Sequence, residues 1–197
     1  MYKVRAVPNF LPWLLALLGF VTWVPQRARA DAQASLRNFL DLGQRKTSGD
    51  DEFVVGLGYR GDVMFGAPRP RAFRMGPAFE LRTTEFRTAE GALGAGVLIP
   101  LPGDLPIGLT GLLGAAVRKG DQPDGLVGIG TVTWGYRGYN YHSWYGYGLN
   151  LFFSGRKHLG DETLVELTGG IEVDVAFTTL IPARAIVQFF RGGDPHE

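Results

Sequence analysis

Apolar residues recur at every second position over most of the chain. Phe53, Val55, Leu57, Tyr59, Val63 and Phe65 alternate with Val54, Gly56, Gly58, Arg60, Asp62, Met64 and Gly66, and Gly61 is the one gap. Successive side chains of a strand point to opposite faces, so this spacing predicts one apolar and one small or polar face. The pattern returns with Phe73, Met75, Pro77, Phe79 and Leu81 against Arg74, Gly76, Ala78, Glu80 and Arg82. A third strand sets Leu93, Ala95, Val97, Ile99 and Leu101 against Glu90, Ala92, Gly94 and Gly96, and a fourth covers 107–118. In a fifth, over 125–141, Val127 and Ile129 are odd whereas Val132, Trp134 and Tyr136 are even, which predicts a bulge near Thr131. The sixth, 145–153, the seventh, 165–177, and the eighth, 183–190, restore the alternation.

Turn chemistry falls between these runs, at 66–70, 102–104, 119–125, 154–162 and 178–182. Residues 31–50 stand apart. Leu36, Phe39, Leu40 and Leu42 fit a short amphipathic helix, and a disordered leader fits the same stretch.

The N-terminus has another character. Lys3 and Arg5 precede the uncharged run FLPWLLALLGFVTWV at 10–24, and Ala28-Arg29-Ala30 follows Pro25. A charged segment, an apolar segment and an A-x-A site form a secretory signal peptide, expected to be cleaved before Asp31. Fifteen helical residues rise only about 22 Å, short of the roughly 30 Å of a bilayer core. The organisation read from sequence is therefore signal peptide 1–30, periplasmic leader or short helix 31–50, barrel 51–191 and tail 192–197.

Composition narrows the possibilities. The 197 residues include no Cys, which excludes a disulfide scaffold and any thiolate chemistry. Loss of Lys3, Arg5, Arg27 and Arg29 with the signal leaves 16 basic and 19 acidic residues, a net of −3, which does not point to nucleic acid. Eight antiparallel strands suit a soluble lipocalin-like barrel or an outer-membrane barrel. The non-apolar face is mostly Gly, Ala and Thr with isolated charges, which suits a crowded lumen. Most runs exceed ten residues, as tilted membrane strands require. Aromatics gather near strand ends, among them Trp134, Tyr139, Tyr141, Trp144 and Tyr145, as interfacial girdles do.

Over residues 53–190 the strand pattern resembles the small eight-stranded outer-membrane barrels of the OmpA/OmpX type. The resemblance implies an all-β, antiparallel up-and-down transmembrane barrel in the cell outer membrane. Its partners would be outer-membrane lipid and the barrel-insertion machinery, with no cofactor. The chain departs from the family where RGGDPHE follows Phe190, since these barrels commonly end on an aromatic. With a periplasmic N-terminus, the connections 119–125 and 154–162 also fall on the periplasmic side, although outer loops are usually the longer ones.

Candidate chemistry lies on the polar face. Glu172 and Asp174, with Glu166 nearby, suit an acid/base pair, a cation site or a lumen ion-pair network. The network is expected, because an unpaired buried charge is costly. Its members are Arg60, Arg74, Glu80, Arg82, Glu166, Glu172, Asp174 and Arg184. Some barrels of the resembled type are lipid A deacylases or acyltransferases using His, Ser and an acid. The pair His142-Ser143 is the candidate here, but adjacent strand residues point to opposite faces, so a polar tip within an aromatic girdle is the expected role. His158, Arg156 and Lys157 read as a solvated turn, and the three scattered His predict no metal site. The functional expectation is a small barrel with a structural or interaction role and a lumen closed by side chains. Its rivals are a membrane-embedded lipid-modifying enzyme and a soluble periplasmic lipid-binding barrel.

Overall fold

The computed structural model describes residues 32–47, 51–67, 72–102, 105–119, 125–137, 148–159 and 164–175. Eight strands follow one another: β1 (Gln33–Lys46), β2 (Asp51–Gly66), β3 (Arg74–Thr84), β4 (Thr88–Ile99), β5 (Ile107–Arg118), β6 (Gly125–Arg137), β7 (Gly148–Leu159) and β8 (Val165–Asp174). Each pairs antiparallel with the next, and β1 pairs with β8, so the sheet closes into an up-and-down barrel with no free edge. No helix among the described residues is long and apolar enough to cross a membrane, which says nothing of strands.

The first strand corrects the expected leader or short helix over 31–50. Gln33, Ser35, Arg37, Phe39, Asp41 and Arg45 point inward, and Leu36, Leu40 and Leu42 point outward, which is period two. Propensity is weak against two neighbouring edges. β1 bonds to β2 from Gln33↔Met64 to Lys46↔Asp51 and to β8 from Arg37↔Asp174 to Lys46↔Val165. The approach to β8 is close enough that a Cβ on Gly43 would stand 2.0 Å from the Leu167 carbonyl oxygen. The described barrel therefore begins at Gln33, ahead of the expected start at 51, and residues 176–191 of the expected range lie outside the described residues.

Two further expectations change. Residues 154–159 of the turn read over 154–162 are the second half of β7, paired from Leu126↔Leu159 to Arg137↔Gly148 on one side and up to Lys157↔Val165 on the other, and 160–162 lie outside the described residues. Gly155 imitates a turn locally, but the two ladders keep the chain extended there. The bulge near Thr131 is also absent, since β6 holds one register with β5 and one with β7 throughout. What switches in β6 is composition: Val127 and Ile129 face the lumen, while Leu126, Val132, Trp134 and Tyr136 face out. They join Ala78, Ala92 and Leu112 in an apolar patch on the inner wall.

The connections 47–50, 85–87, 119–124 and 160–164 leave the end where β1 finishes, and 67–73, 100–106 and 138–147 leave the end where it starts. One added strand at the front thus moves 119–124 and 160–164 to the end opposite the start of β1. The eighth strand expected over 183–190, with Arg184, lies outside the described residues, as do residues 1–30 and 192–197.

Candidate functional site

The barrel is inverted relative to a soluble protein. Odd positions face out in β2–β5, β7 and β8, and even positions face out in β1 and β6. The outer surface exposes Leu40, Leu57, Leu113, Leu151, Phe153, Leu167 and Ile171, each by two-fifths or more. Arg37, Arg45, Arg60, Arg74, Arg82, Arg137 and Arg156 are buried inside, together with Asp41, Asp62, Glu80, Glu90, Glu166, Glu172 and Asp174. Among the described residues, seven arginines and seven carboxylates are thus buried in the lumen.

Most of these charges form one alternating chain along the barrel axis. At the end where β1 starts, the Arg137 fork donates to both Asp62 oxygens at 2.6 and 2.9 Å, and Arg37 joins Asp62 to Glu172. Asn150 Nδ2 donates to the same Glu172 oxygen at 2.9 Å. In the middle, Arg60 Nη1 donates to Glu172 Oε2 at 2.7 Å, and its Nε and Nη2 donate to Glu80 Oε2 at 2.9 and 2.6 Å. The Arg60 guanidinium also lies 4.9 Å from the Phe39 ring centre and 4.6 Å from that of Phe152, close enough for cation–π attraction in a desolvated site.

Glu80 continues to Arg156 through an ion pair of 2.6 Å, and Arg156 Nη1 donates to Glu90 Oε2 at 3.2 Å. Beyond it, Arg82 grips Asp41 through Nε and Nη2 at 3.0 and 3.2 Å and donates to Glu166 Oε2 at 2.9 Å. Arg45 closes the series, with Nε on Glu166 Oε1 at 2.8 Å and Nη1 on the half-exposed Glu52 at 3.3 Å. Arginine suits such a chain because its rigid fork bridges two carboxylates at once. Gly56 leaves the room for one link: a Cβ there would stand 2.1 Å from Asp41 Oδ1 and 2.5 Å from Arg82 Nε.

Of the residues expected in the lumen, Arg60, Glu80 and Glu172 meet directly, as do Arg82 and Glu166. Arg74 is buried and donates to the Ala67 carbonyl at 3.2 Å, and Asp174 is buried opposite Arg37 in the β1–β8 register. Arg184 lies outside the described residues, so the facing of Glu172 to Arg184 is not among the contacts. Arg37 on β1 takes that seam position.

Sequence reasoning missed Arg37, Asp41 and Arg45 because their segment was not read as a strand. It missed Arg156 and His158 because theirs was read as a solvated turn; both are buried, His158 at 3% exposure. Asp62 and Glu90 carried a usable signal, since each shares the parity of a neighbouring inward residue. Of the aromatics expected at the interfaces, Trp134 faces outward and is half exposed. Tyr139, Tyr141, Trp144 and Tyr145 lie outside the described residues, as does His142-Ser143.

His158, expected in a solvated turn, stands instead beside two carboxylates: its Nε2 is 3.7 Å from Glu166 Oε1 and 3.9 Å from Glu90 Oε1, a grouping of ligand types at one end of the lumen.

No family model matches the chain, and no curated protein matches it. Among solved structures, the barrel is similar to the crystal structure of Neisserial surface protein A. That likeness has a TM-score of 0.42 and 11% identity, and it covers 72% of this chain and 97% of that one.

Proposed function

We propose that the protein is a small outer-membrane barrel with a structural or interaction role, its outer face in lipid and its lumen plugged by the ion-pair chain. The observation that carries this reading is the inversion of polarity: among the described residues, large apolar side chains ring the outside while fourteen charged side chains are buried inside. A monomer in water rarely exposes a continuous apolar belt of this kind, which would favour association. In hydrocarbon the same belt is solvated, and a closed barrel leaves no backbone group unpaired.

The filled interior argues against bulk conduction. An eight-stranded barrel is just wide enough for its side chains, and here bridging arginines occupy the axis. It argues equally against a lipid-binding barrel of the soluble type, whose interior must be an apolar cavity. With a periplasmic N-terminus, Asp51, Glu85, Arg87 and Lys119 lie near the end that faces outward. Outer-membrane lipid and the insertion machinery are then the partners the outer face requires.

Fractionation of the exported protein tests the assignment. The expected result is recovery in the outer membrane, extraction only by detergent, and a folded band on gels that shifts on heating. Recovery in the soluble periplasm without detergent overturns it. Liposomes carrying the refolded barrel should exclude small sugars, and rapid swelling in such sugars would overturn the plugged lumen.

A further inference from the structure

We infer that Glu90, His158 and Glu166 form a binding site for one divalent transition-metal ion of the zinc class, at the end of the lumen where β1 finishes. The three residues come from β4, β7 and β8, and one ligand atom of each lies within 4.8 Å of the others. All three are buried. One imidazole nitrogen with two carboxylate oxygens is a donor set that Zn²⁺ takes readily, with a fourth position left to water.

An independent observation points to a ligand. Neither ring nitrogen of His158 has a hydrogen-bond partner among the described residues, and Glu90 Oε1 has none either. Buried polar atoms are nearly always satisfied, and the orphaned His158 Nε2 and Glu90 Oε1 stand 3.9 Å apart, a spacing that one shared ligand would satisfy. The neighbouring bonds orient the ligands. Arg156 holds Glu90 through Oε2 and Arg82 holds Glu166 through Oε2, while Arg45 Nε donates to the same Glu166 Oε1 that lies 3.7 Å from His158 Nε2. Supporting contacts of this kind fix the ligands of metal sites.

Coordination chemistry selects the ion. The buried carboxylates Asp41, Glu90 and Glu166 balance the buried Arg45, Arg82 and Arg156, and the half-exposed Glu52 stands beside Arg45. Hard cations such as Ca²⁺ and Mg²⁺ need six or more oxygens, and arginines already engage Glu90 Oε2 and both Glu166 oxygens here. A borderline ion gains from the imidazole and needs few ligands. Bonds of roughly 2.0–2.2 Å require the ligand atoms to draw together by about 1 Å, within the reach of three side chains. A cavity of about 140 Å³ lies at the same end, lined by Arg45, Glu52, Glu85, Arg87, Arg118 and Lys119 among others. A bound ion would tie three strands at this mouth.

The test uses the untagged barrel, refolded in detergent micelles, titrated with Zn²⁺ by calorimetry and with Co²⁺ by visible absorption. The expected result is one ion per barrel, with a Co²⁺ spectrum of low coordination number. Binding should vanish in His158→Gln and in Glu90→Gln and persist in His142→Ala and His196→Ala. Heat-modifiable migration shows in each case that the barrel has formed. Absence of binding in the wild type, binding unchanged in His158→Gln, or binding lost with His142 overturns the site. If a His158→Gln barrel fails to form, Glu90→Gln carries the same test.

Discussion

Arg60 on β2 and Glu172 on β8 meet at 2.7 Å although β1 separates their backbones. The contact passes over Phe39 of β1, whose ring meets that of Phe152 edge-on at 5.6 Å and lies beneath the guanidinium. The closing seam of the barrel is therefore spanned by side chains as well as by backbone ladders.

Removal of one partner should expose how much this chain contributes. Arg60→Ala leaves the buried Glu80 and Glu172 each short of a cation, at a cost of roughly 3–5 kcal/mol. Arg156→Ala should be comparable, because it takes one cation from each of the buried Glu80 and Glu90. Lys157→Ala, on the exposed face next door, should stay within about 0.5 kcal/mol. Urea midpoints in micelles check this; equal midpoints for Arg156→Ala and Lys157→Ala would remove the plug.

The two faces differ in what they tolerate. Leu167→Arg and Val132→Arg place a charge on the outer surface and should cost about 2–4 kcal/mol near the bilayer midplane. Thr168→Ser, which faces inward, should cost little. Because the chain lacks Cys, single cysteines report the parity directly. Cysteine at Leu126, Val132 or Tyr136 should react with a lipid-soluble maleimide, whereas cysteine at Val127 or Thr133 should not.

The first strand is testable by its own backbone. Gly43→Val sets a side chain against the Leu167 carbonyl, and Leu40→Pro removes a donor between two ladders and fixes the backbone there. Both should abolish the heat-modifiable folded band. A leader or isolated helix over 31–50 would tolerate both.

Gly56→Ala should break the Arg82–Asp41 fork, since its Cβ falls within the space of both partners. The expected loss is of the order of one buried ion pair, several kcal/mol. Recovery of part of the loss in the double variant Gly56→Ala, Asp41→Ala would show that the clash acts through Asp41. An unchanged urea midpoint for Gly56→Ala would mean that the fork is not held as described.

Period two is a local property, and it was legible wherever a strand carries apolar residues on one side and Gly, Thr or charge on the other. The alternation in 53–66, 73–82 and 165–174 gave strands, faces and the inward position of Arg60, Glu80, Arg82, Glu166 and Glu172 without any neighbour being known. Barrel closure was not local. Whether 33–46 is a helix or a strand depends on the two edges that β2 and β8 present, and those edges exist only once the other strands are in place. The same holds for 154–159, where Gly155 suggests a turn but two ladders pull Arg156 and His158 into the lumen.

The partner of each charge was also decided in three dimensions. A strand pattern says which side a carboxylate faces, but the strand count and register set which guanidinium stands opposite. Admitting β1 exchanges Arg184 for Arg37 at the seam and joins Arg45 to Glu166. Alternation arises from the geometry of one strand, whereas ion pairing arises from the stagger of all eight. The sequence alone determined a two-faced barrel wall; the tertiary structure decided where that wall closes and which charges meet inside it.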